Sequence, residues 1–289
     1  MRRLGLLVLA TCLLGDSSPR WSLVSGRHWM IEGTTVEEAC VTDAREGTGG
    51  GCPAGMVAVR GMSRTDGGGV SVEGLQDSVC MEWIGHAFPR RCARFDRERW
   101  RMLVTTLPVQ ERAFCIDRFE YPDAYGAYPM IFVTWMEAGA ACATLGKRLC
   151  SEDEWTFACE GEEALPYPHG YEREAGSCVI DRPHRAFDET RFRLRSSVEA
   201  EQEISRLWQG EASGSRPRCR SPFGVYDLTG NVDEWTTSTR GGGYRSILKG
   251  GYWGPVRTRC RPSTRAHGED FAYYQQGFRC CSGLPVRGR

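Results

Sequence analysis

Residues 224–236 read GVYDLTGNVDEWT, residues 248–260 read LKGGYWGPVRTRC and residues 275–281 read QQGFRCC. Glycines, aromatic residues, cysteines and one acidic turn follow each other here without the 3.6-residue apolar period of a helix. The pattern predicts short strands joined by irregular turns. Its cysteines can form disulfides, bind a metal or act as a nucleophile. Which of these roles they have decides between an oxidising enzyme and a binding domain stapled by disulfides.

The composition is that of a globular protein. Of 289 residues, 40% are hydrophobic and 26% are charged, and the formal net charge is +0. A neutral chain creates no field that attracts nucleic acid or anionic lipid, so we expect no nucleic-acid partner. A chain of this length buries most of its apolar surface unaided. The 14 cysteines therefore do not replace a missing core.

The N-terminus has the features of a secretory signal. Two arginines precede the apolar run 4–14, which is too short to span a bilayer. We therefore predict a signal peptide over residues 1–18 and a mature protein that is secreted, periplasmic or in the cell envelope. The residues LATC at 9–12 resemble a bacterial lipoprotein cleavage box. Lipid attachment at Cys12 and ordinary cleavage within residues 15–18 remain alternatives. If the protein contacts a membrane, we expect it to do so only through such a lipid anchor.

The rest of the chain divides by composition. Residues 19–51 are polar and glycine-rich and are predicted to be a tether. Residues 52–281 are predicted to form the folded domain, and residues 282–289 a tail. Within the domain, residues 182–218 are rich in Arg and Glu. We predict a surface insertion there, with solvated charges and one helix whose inward residues are Val198, Ile204 and Leu207.

Two capping boxes mark helix starts, at Thr134–Glu137 and Ser151–Glu154. The residues predicted to face the core are, in the first helix, Trp135, Ala138, Cys142 and Leu145. In the second helix they are Trp155, Ala158 and Cys159. Each helix thus directs a cysteine at the core, and cysteines so placed more often form structural bridges than reactive thiols.

Seven motifs then follow in one order: CPAGMVAV, FCIDRFEYPD, YPMIFVTWMEAGAAC, GKRLCSEDEWTFAC, SPFGVYDLTGNVDEW, LKGGYW and GFRC. Over residues 52–281 this order resembles the formylglycine-generating enzyme (sulfatase-modifying factor) family. The resemblance implies an α+β fold of the C-type-lectin-like kind, loop-rich and stapled by disulfides. Each motif is too short to support the assignment alone. The assignment rests on the order in which the seven motifs occur.

The family's disulfides transfer by position. The resemblance implies the pairs Cys142–Cys280 and Cys159–Cys260, and we expect Cys178 and Cys219 to clamp the base of the insertion. Proximity alone favours Cys80–Cys92 and Cys40–Cys52. The sequence leaves open how the remaining cysteines pair: Cys115, Cys150 and Cys281. A zinc site made from those three has little support, because no histidine lies at ligand spacing.

The acidic turn matches a structural calcium site of the family. The resemblance implies side-chain ligands from Asp227 and Glu234 and carbonyl ligands from Gly230 and Val232, a hard-oxygen set that suits calcium. The alternative is a glycine turn with solvent-facing acids. The family's other calcium site would begin near Val179, where an Asn is expected, so that site is not carried over.

The copper site of the family's oxidases has no counterpart. In those enzymes two closely spaced cysteines after a GGS motif bind Cu(I), which soft thiolates suit. Here the segment 250–260 is shorter, Pro255 stands in place of one cysteine, and Cys260 matches a disulfide position. Tyr252 replaces the serine of GGS, and Asp233 replaces a tryptophan. Copper is therefore not expected.

Two functions compete. The first is a secreted or surface-anchored, non-catalytic binding or accessory domain for a protein, peptide or glycan outside the cytoplasm. Its expected contact residues are aromatic and basic side chains of the C-terminal loops: Tyr252, Trp253, Arg257, Arg259 and His267. The alternative is an oxidase that converts a protein cysteine to formylglycine, or a relative with other ligands, for which His267 and the neighbouring acids are the residues to consider.

Overall fold

A computed structural model describes residues 20–24, 28–31, 51–85 and 90–284. The predicted signal peptide, Cys12, Cys40 and most of the predicted tail lie outside the described residues. Within the described ranges, no helix combines the length and apolar character needed to cross a membrane.

The first sheet has four antiparallel strands in the order β3-β6-β12-β7. The strands are β3 (Met56–Arg64), β6 (Val109–Asp117), β12 (Cys280–Gly283) and β7 (Arg148–Leu149). Val59 of β3 lies opposite Phe114 of β6, and both side chains are buried. Alternation along the strands thus supplies one apolar face, which packs in the same core as Trp155.

The second sheet has the order β10-β9-β8-β11. It contains β8 (Asp233–Thr237), β9 (Ser246–Lys249), β10 (Ser263–Thr264) and β11 (Gln276–Phe278). Its pairs are antiparallel except β8–β11, which is parallel. Trp235, Leu248 and Phe278 are buried together in the cluster that also contains Cys142. A separate antiparallel pair is formed by β4 (Cys80–Ile84) and β5 (Arg91–Phe95).

The helices are short: α1 (Val72–Ser78), α2 (Arg97–Val104), α3 (Trp135–Thr144), α4 (Glu152–Glu160) and α5 (Val198–Leu207), with a 3-10 turn over Glu189–Phe192. Both predicted capping boxes are confirmed. The Thr134 hydroxyl accepts from the Glu137 amide at 3.1 Å, and the Glu137 carboxylate accepts from the Thr134 amide at 2.9 Å. Ser151 and Glu154 do the same for α4. The predicted α+β, loop-rich class is confirmed.

The predicted inward faces are right for α4 and partly wrong elsewhere. Trp155, Ala158 and Cys159 are fully buried. Leu145 is half exposed, because α3 ends at Thr144 and Leu145 is its C-cap.

The face of α5 also differs from the prediction. Val198 is 62% exposed, and the buried stripe runs through Ala200, Ile204 and Leu207 instead. Val198 precedes Ala200 by two residues, about 200° away on a helix, so it faces solvent.

Part of the predicted tether is folded. Trp21–Val24 (β1) pairs antiparallel with His28–Ile31 (β2). Trp21 and Trp29 are buried, and Trp29 exchanges backbone hydrogen bonds with Ile131 at 3.0 and 3.3 Å. The prediction of a tether is therefore wrong for these residues, because two indole side chains give the segment enough apolar surface to dock.

The described residues contain six disulfides. Four predicted pairs are confirmed: Cys142–Cys280, Cys159–Cys260, Cys178–Cys219 and Cys80–Cys92. Cys150 pairs with Cys281, which settles the open choice. The expected Cys40–Cys52 pair is wrong: Cys52 bonds to Cys115 instead. A turn from Pro53 to Met56 folds Cys52 back beside β6, where its Cα lies 5.7 Å from that of Cys115.

Candidate functional site

The expected contact surface centres on a cavity of about 510 Å³, which we call the C-terminal cleft. Residues of the second sheet and of the loops around it line the cleft, among them Asp233, Leu248, Gln276, Tyr252, Arg257, His267 and Tyr273. Because four strands and two loops meet here, the cleft exists only in the folded chain.

Two glycines shape its rim. Gly250 and Gly251 have φ angles of +89° and +70°. A Cβ on Gly250 would lie 2.8 Å from the Leu228 carbonyl oxygen, and one on Gly251 would lie 2.8 Å from the Thr258 side chain. Only glycine fits this double left-handed turn without strain. After this turn the chain returns to β9, with which β10 pairs antiparallel.

The shortened segment brings no free thiol to the cleft. Cys260 ends the segment and is bonded to Cys159. Every cysteine within the described ranges is in a disulfide. Copper(I) prefers thiolate ligands, and none is present among the lining residues.

Asp233 supplies the acidic group of the cleft. Its Oδ1 accepts a hydrogen bond from the Gly251 amide at 3.2 Å. Burial raises the pKa of Asp233 to about 7, and the neighbouring Glu234 adds to the increase. A lining carboxyl whose proton is held near neutral pH can both donate and accept hydrogen bonds to a ligand. Sequence reasoning noted the replacement of a tryptophan here but did not assign Asp233 to the contact surface.

Three predicted contact residues line the cleft: Tyr252, Arg257 and His267. His267 stacks on Phe271 with ring centroids 3.9 Å apart, and burial lowers the pKa of His267, which favours its neutral form. Arg257 Nη2 donates to the Ser263 carbonyl at 3.4 Å. The wall is therefore mixed, with aromatic faces next to polar groups.

Two glutamines of the cleft have side-chain oxygens that accept no hydrogen bond from the described residues. Gln275 and Gln276 line the cleft, and the Oε1 atom of each is buried without a hydrogen-bond partner. Buried amide oxygens are normally satisfied, so a ligand with donor groups suits this position. No sequence pattern pointed to these residues.

Two predicted contact residues do not belong to the surface. Trp253 is 2% exposed and packs against Trp208 with ring centroids 4.9 Å apart. Arg259 is buried, with its Nη2 2.8 Å from an Asp77 carboxylate oxygen. Both predictions are wrong, because the Trp253 indole packs in the core and the Arg259 guanidinium is buried against the carboxylate of Asp77.

The two acidic side chains of the turn are buried. Asp227 adopts φ +57° and is buried, and its Oδ2 accepts from the Gly214 amide at 2.6 Å. Glu234 is buried, with Arg279 bonded to both carboxylate oxygens at 2.6 and 2.7 Å. Neither acid faces solvent, contrary to the alternative of an exposed turn.

A third carboxylate, Glu120, lies nearby and accepts from Ser213 and Asn231. Burial, then the charges of Asp227 and Glu234, raise the pKa of Glu120; burial raises the pKa of Asp227 to about 7. Three buried carboxyls facing one arginine leave an excess of acidic groups, which a cation would stabilise.

The turn fits calcium only in part, because Arg279 already bonds both carboxylate oxygens of Glu234 and an ion here would depend on backbone ligands. A Cβ on Gly230 would lie 2.3 Å from the Val179 carbonyl oxygen, so the turn requires glycine. In the described part of the chain, no three His, Cys, Asp or Glu side chains form a metal-binding group. A calcium ion here would therefore take carbonyl oxygens, as expected from Gly230 and Val232, beside the carboxylates of Asp227 and Glu234.

Comparison with known proteins gives one family match. A family model described as "Sulfatase-modifying factor enzyme 1-like domain" matches residues 76–284. The match spans the second sheet, the first sheet apart from β3, all of the C-terminal cleft and the acidic turn.

Curated relatives are similar over part of their length. The chain is 31% identical over 216 residues to the bovine "Inactive C-alpha-formylglycine-generating enzyme 2", covering 64% of this chain and 61% of that protein. It is 26% identical over 124 residues to the mouse "Formylglycine-generating enzyme", covering 38% of this chain and 27% of that protein. The chain thus spans less than two thirds of the length of these relatives. The structure of PvdO from Pseudomonas aeruginosa overlaps with a TM-score of 0.47 at 17% identity, covering 79% of this chain and 94% of that one.

Proposed function

This chain belongs to the sulfatase-modifying factor enzyme 1-like domain family, and we propose that it is a non-catalytic member, a binding or accessory domain outside the cytoplasm. The observation that carries the proposal is that no cysteine is among the described residues that line the C-terminal cleft. Cys260, which ends the shortened segment 250–260, is bonded to Cys159.

The chemistry supports a loss of oxidase activity. Copper-dependent activation of oxygen needs a soft ligand pair, and the cleft is lined by carboxyl, amide, imidazole and phenol groups instead. The bovine relative is itself named inactive.

The cleft is the proposed ligand site. Its aromatic walls, the carboxyl of Asp233 and the unmet amide oxygens of Gln275 and Gln276 suit a ligand with an apolar face and several hydrogen-bond donors. Peptides and glycans meet this description, and we propose a peptide or glycan ligand.

Two further properties belong to the proposal. Six disulfides among the described residues fit an oxidising compartment, so the protein acts outside the cytosol. A calcium ion at the acidic turn has a structural role, because it relieves the crowding of buried carboxyls around Asp227.

The oxidase alternative is tested by titrating the purified protein with copper(I) and a cysteine-containing sulfatase peptide, with an active formylglycine-generating enzyme in parallel. We expect no stoichiometric copper binding and no conversion of the peptide cysteine. Formylglycine formation by this chain would overturn the proposal.

The binding role is tested on peptide and glycan arrays. We expect Tyr252→Ala and His267→Ala to lose signals that the parent shows, because both side chains line the cleft. Tyr125→Ala removes an exposed ring that is not among the lining residues and is the matched control. Equal signals from the parent and both cleft variants would contradict the assignment of the cleft.

A further inference from the structure

A second cavity, of about 250 Å³, lies between the two sheets and the start of α4. We call it the basic pocket. It shares only Ser263 with the lining of the C-terminal cleft. Its lining contains six cationic side chains: Arg64, Arg112, Arg240, Lys249, Arg261 and Arg265. The same lining contains three carboxylates: Asp66, Glu152 and Asp153.

Most of these cations have an internal partner. Arg112 lies 2.9 Å from Asp153, and Arg240 lies 3.3 Å from Asp66. The other two pairs are Arg265–Glu152 and Arg261–Glu160, the latter carboxylate lying outside the lining. Four carboxylates thus face six cations, which leaves two positive charges unmatched.

The unmatched cations are Arg64 and Lys249. Within the described ranges, neither has a carboxylate within 4.0 Å. Lys249 is 2% exposed, and its Nζ donates to the Arg261 carbonyl at 2.7 Å and to the Ser263 hydroxyl at 3.4 Å. Both acceptors are neutral, and the Nζ also lies 5.4 Å from the centroid of the Trp155 ring. Among the described residues, the ammonium therefore has no carboxylate in direct contact, and the charges of Glu152, Glu73 and Glu160 act on it only from a distance.

Other buried cations of the protein follow the opposite pattern. Arg259 is paired with Asp77, Arg279 with Glu234, and Arg173 with Asp181. Burying a charge is costly unless an opposite charge accompanies it. Lys249 is the exception among these buried cations, and it lies where the positive charge is in excess.

Unmet hydrogen-bond donors occur at the same place. The Nε atoms of Arg64 and Arg112 are buried without partners, and both residues line the basic pocket. Ser63 and Thr156 line it as well. A compact ligand that carries negative charge and several acceptor oxygens would satisfy these donors at once.

We propose that the basic pocket binds a small oxyanion, phosphate or sulfate, with Lys249 and Arg64 as its charge partners. The anion is either free or the end group of a larger molecule. Burial, with the charge of Arg261, lowers the pKa of Lys249 to about 7 when no anion is present, and an oxyanion beside it would favour the ammonium again. A neutral Lys249 would still leave Arg64 without a counterion.

The test is calorimetric titration of the folded chain with inorganic phosphate and with sulfate, in chloride buffer of constant ionic strength. We expect saturable binding by the parent and at least a tenfold weaker affinity for Lys249→Met, which keeps the side-chain volume and removes the charge. Arg64→Gln should weaken binding as well. The matched control is Arg218→Met, because Arg218 is an exposed arginine outside the pocket and this change also removes one positive charge.

Each outcome of these titrations either supports or contradicts the proposed anion site. No saturable binding by the parent, or equal affinities for Lys249→Met and Arg218→Met, would overturn the proposal. A parallel titration with glycerol phosphate distinguishes the sources. Tighter binding of the ester indicates the end group of a larger molecule, and tighter binding of inorganic phosphate indicates a free ion. Near-UV circular dichroism of each variant confirms that the fold is retained.

Discussion

Arg279 and Glu234 form a two-bond ion pair in the interior, with Nη2 2.6 Å from Oε1 and Nε 2.7 Å from Oε2. Trp155 Nε1 donates to the same Oε2 at 2.7 Å, and Arg279 also donates to the Tyr226 carbonyl at 2.9 Å. Glu234 belongs to β8 of the second sheet, and Arg279 lies between β11 of the second sheet and β12 of the first. The pair therefore lies where the chain passes from one sheet to the other.

Replacing Arg279 by methionine should destabilise the fold by about 3–5 kcal/mol, because the carboxylate of Glu234 would remain buried without its counterion. Urea unfolding at pH 7 measures the change. The exposed pair Arg218–Glu174 is the control, and Arg218→Met should cost less than about 1 kcal/mol. Equal losses of unfolding free energy in the two variants would show that the buried pair stabilises the fold no more than the exposed pair does.

Calcium at the acidic turn predicts a specific response to Asp227→Asn. The variant keeps the side-chain size but removes one of the two proposed carboxylate ligands, so its melting temperature in calcium should fall towards that of the chelated parent. Chelator should then have little further effect on the variant. A parent melting temperature that does not respond to chelator would rule out the ion.

Peptide mapping of the non-reduced protein should find Cys52 linked to Cys115 and Cys142 linked to Cys280. A peptide that joins Cys40 to Cys52 would refute the first assignment.

The energetic effect of a bridge should follow its span. Removal of Cys142–Cys280, which spans 138 residues, should cost about 2–4 kcal/mol. Removal of Cys80–Cys92, which spans 12 residues, should cost less, because a short loop loses less chain entropy when it is closed. Urea unfolding of the two double-alanine variants provides the comparison.

Arg195 attaches the charged insertion to α3 through Glu137, with two bonds of 2.9 Å. Burial opposes ionisation of Glu137, but bonds from Arg195 and Thr134 prevail and lower the pKa of Glu137 from 4.5 to about 2. Because the folded-state pKa is the lower one, this stabilisation is present above about pH 4.5 and is lost as the pH falls through 2.

Arg195→Met should therefore cost about 1–2 kcal/mol at pH 7, and the difference from the parent should shrink below pH 4.5 and disappear as the pH falls below about 2. Urea midpoints across this range measure the effect. The neighbouring exposed Arg193→Met is the control and should show no such pH dependence. A constant difference at all pH values would mean that Arg195 acts through packing alone.

Local patterns predicted those features that depend on neighbouring residues. Thr134 and Ser151 start helices because their hydroxyls and the acids three positions later satisfy free amides within one turn. The inward face of α5 was partly mispredicted, since Val198 is apolar but starts the helix on the solvent side. Periodicity identifies the helix, whereas the packing partner selects the face.

The sequence by itself determined both capping boxes and the absence of a cysteine pair at the shortened segment 250–260, because these follow from residue identity and short-range spacing. The order of the seven motifs carried the family resemblance, and that resemblance implied the pairs Cys142–Cys280 and Cys159–Cys260. The tertiary structure alone decided that Cys52 bonds to Cys115, that Trp253 packs in the core, and that Arg279 holds Glu234. It also placed Lys249 among arginines that are distant in the chain. Each of these depends on which separated segments meet and on the charge that burial leaves unpaired, and no local pattern records either.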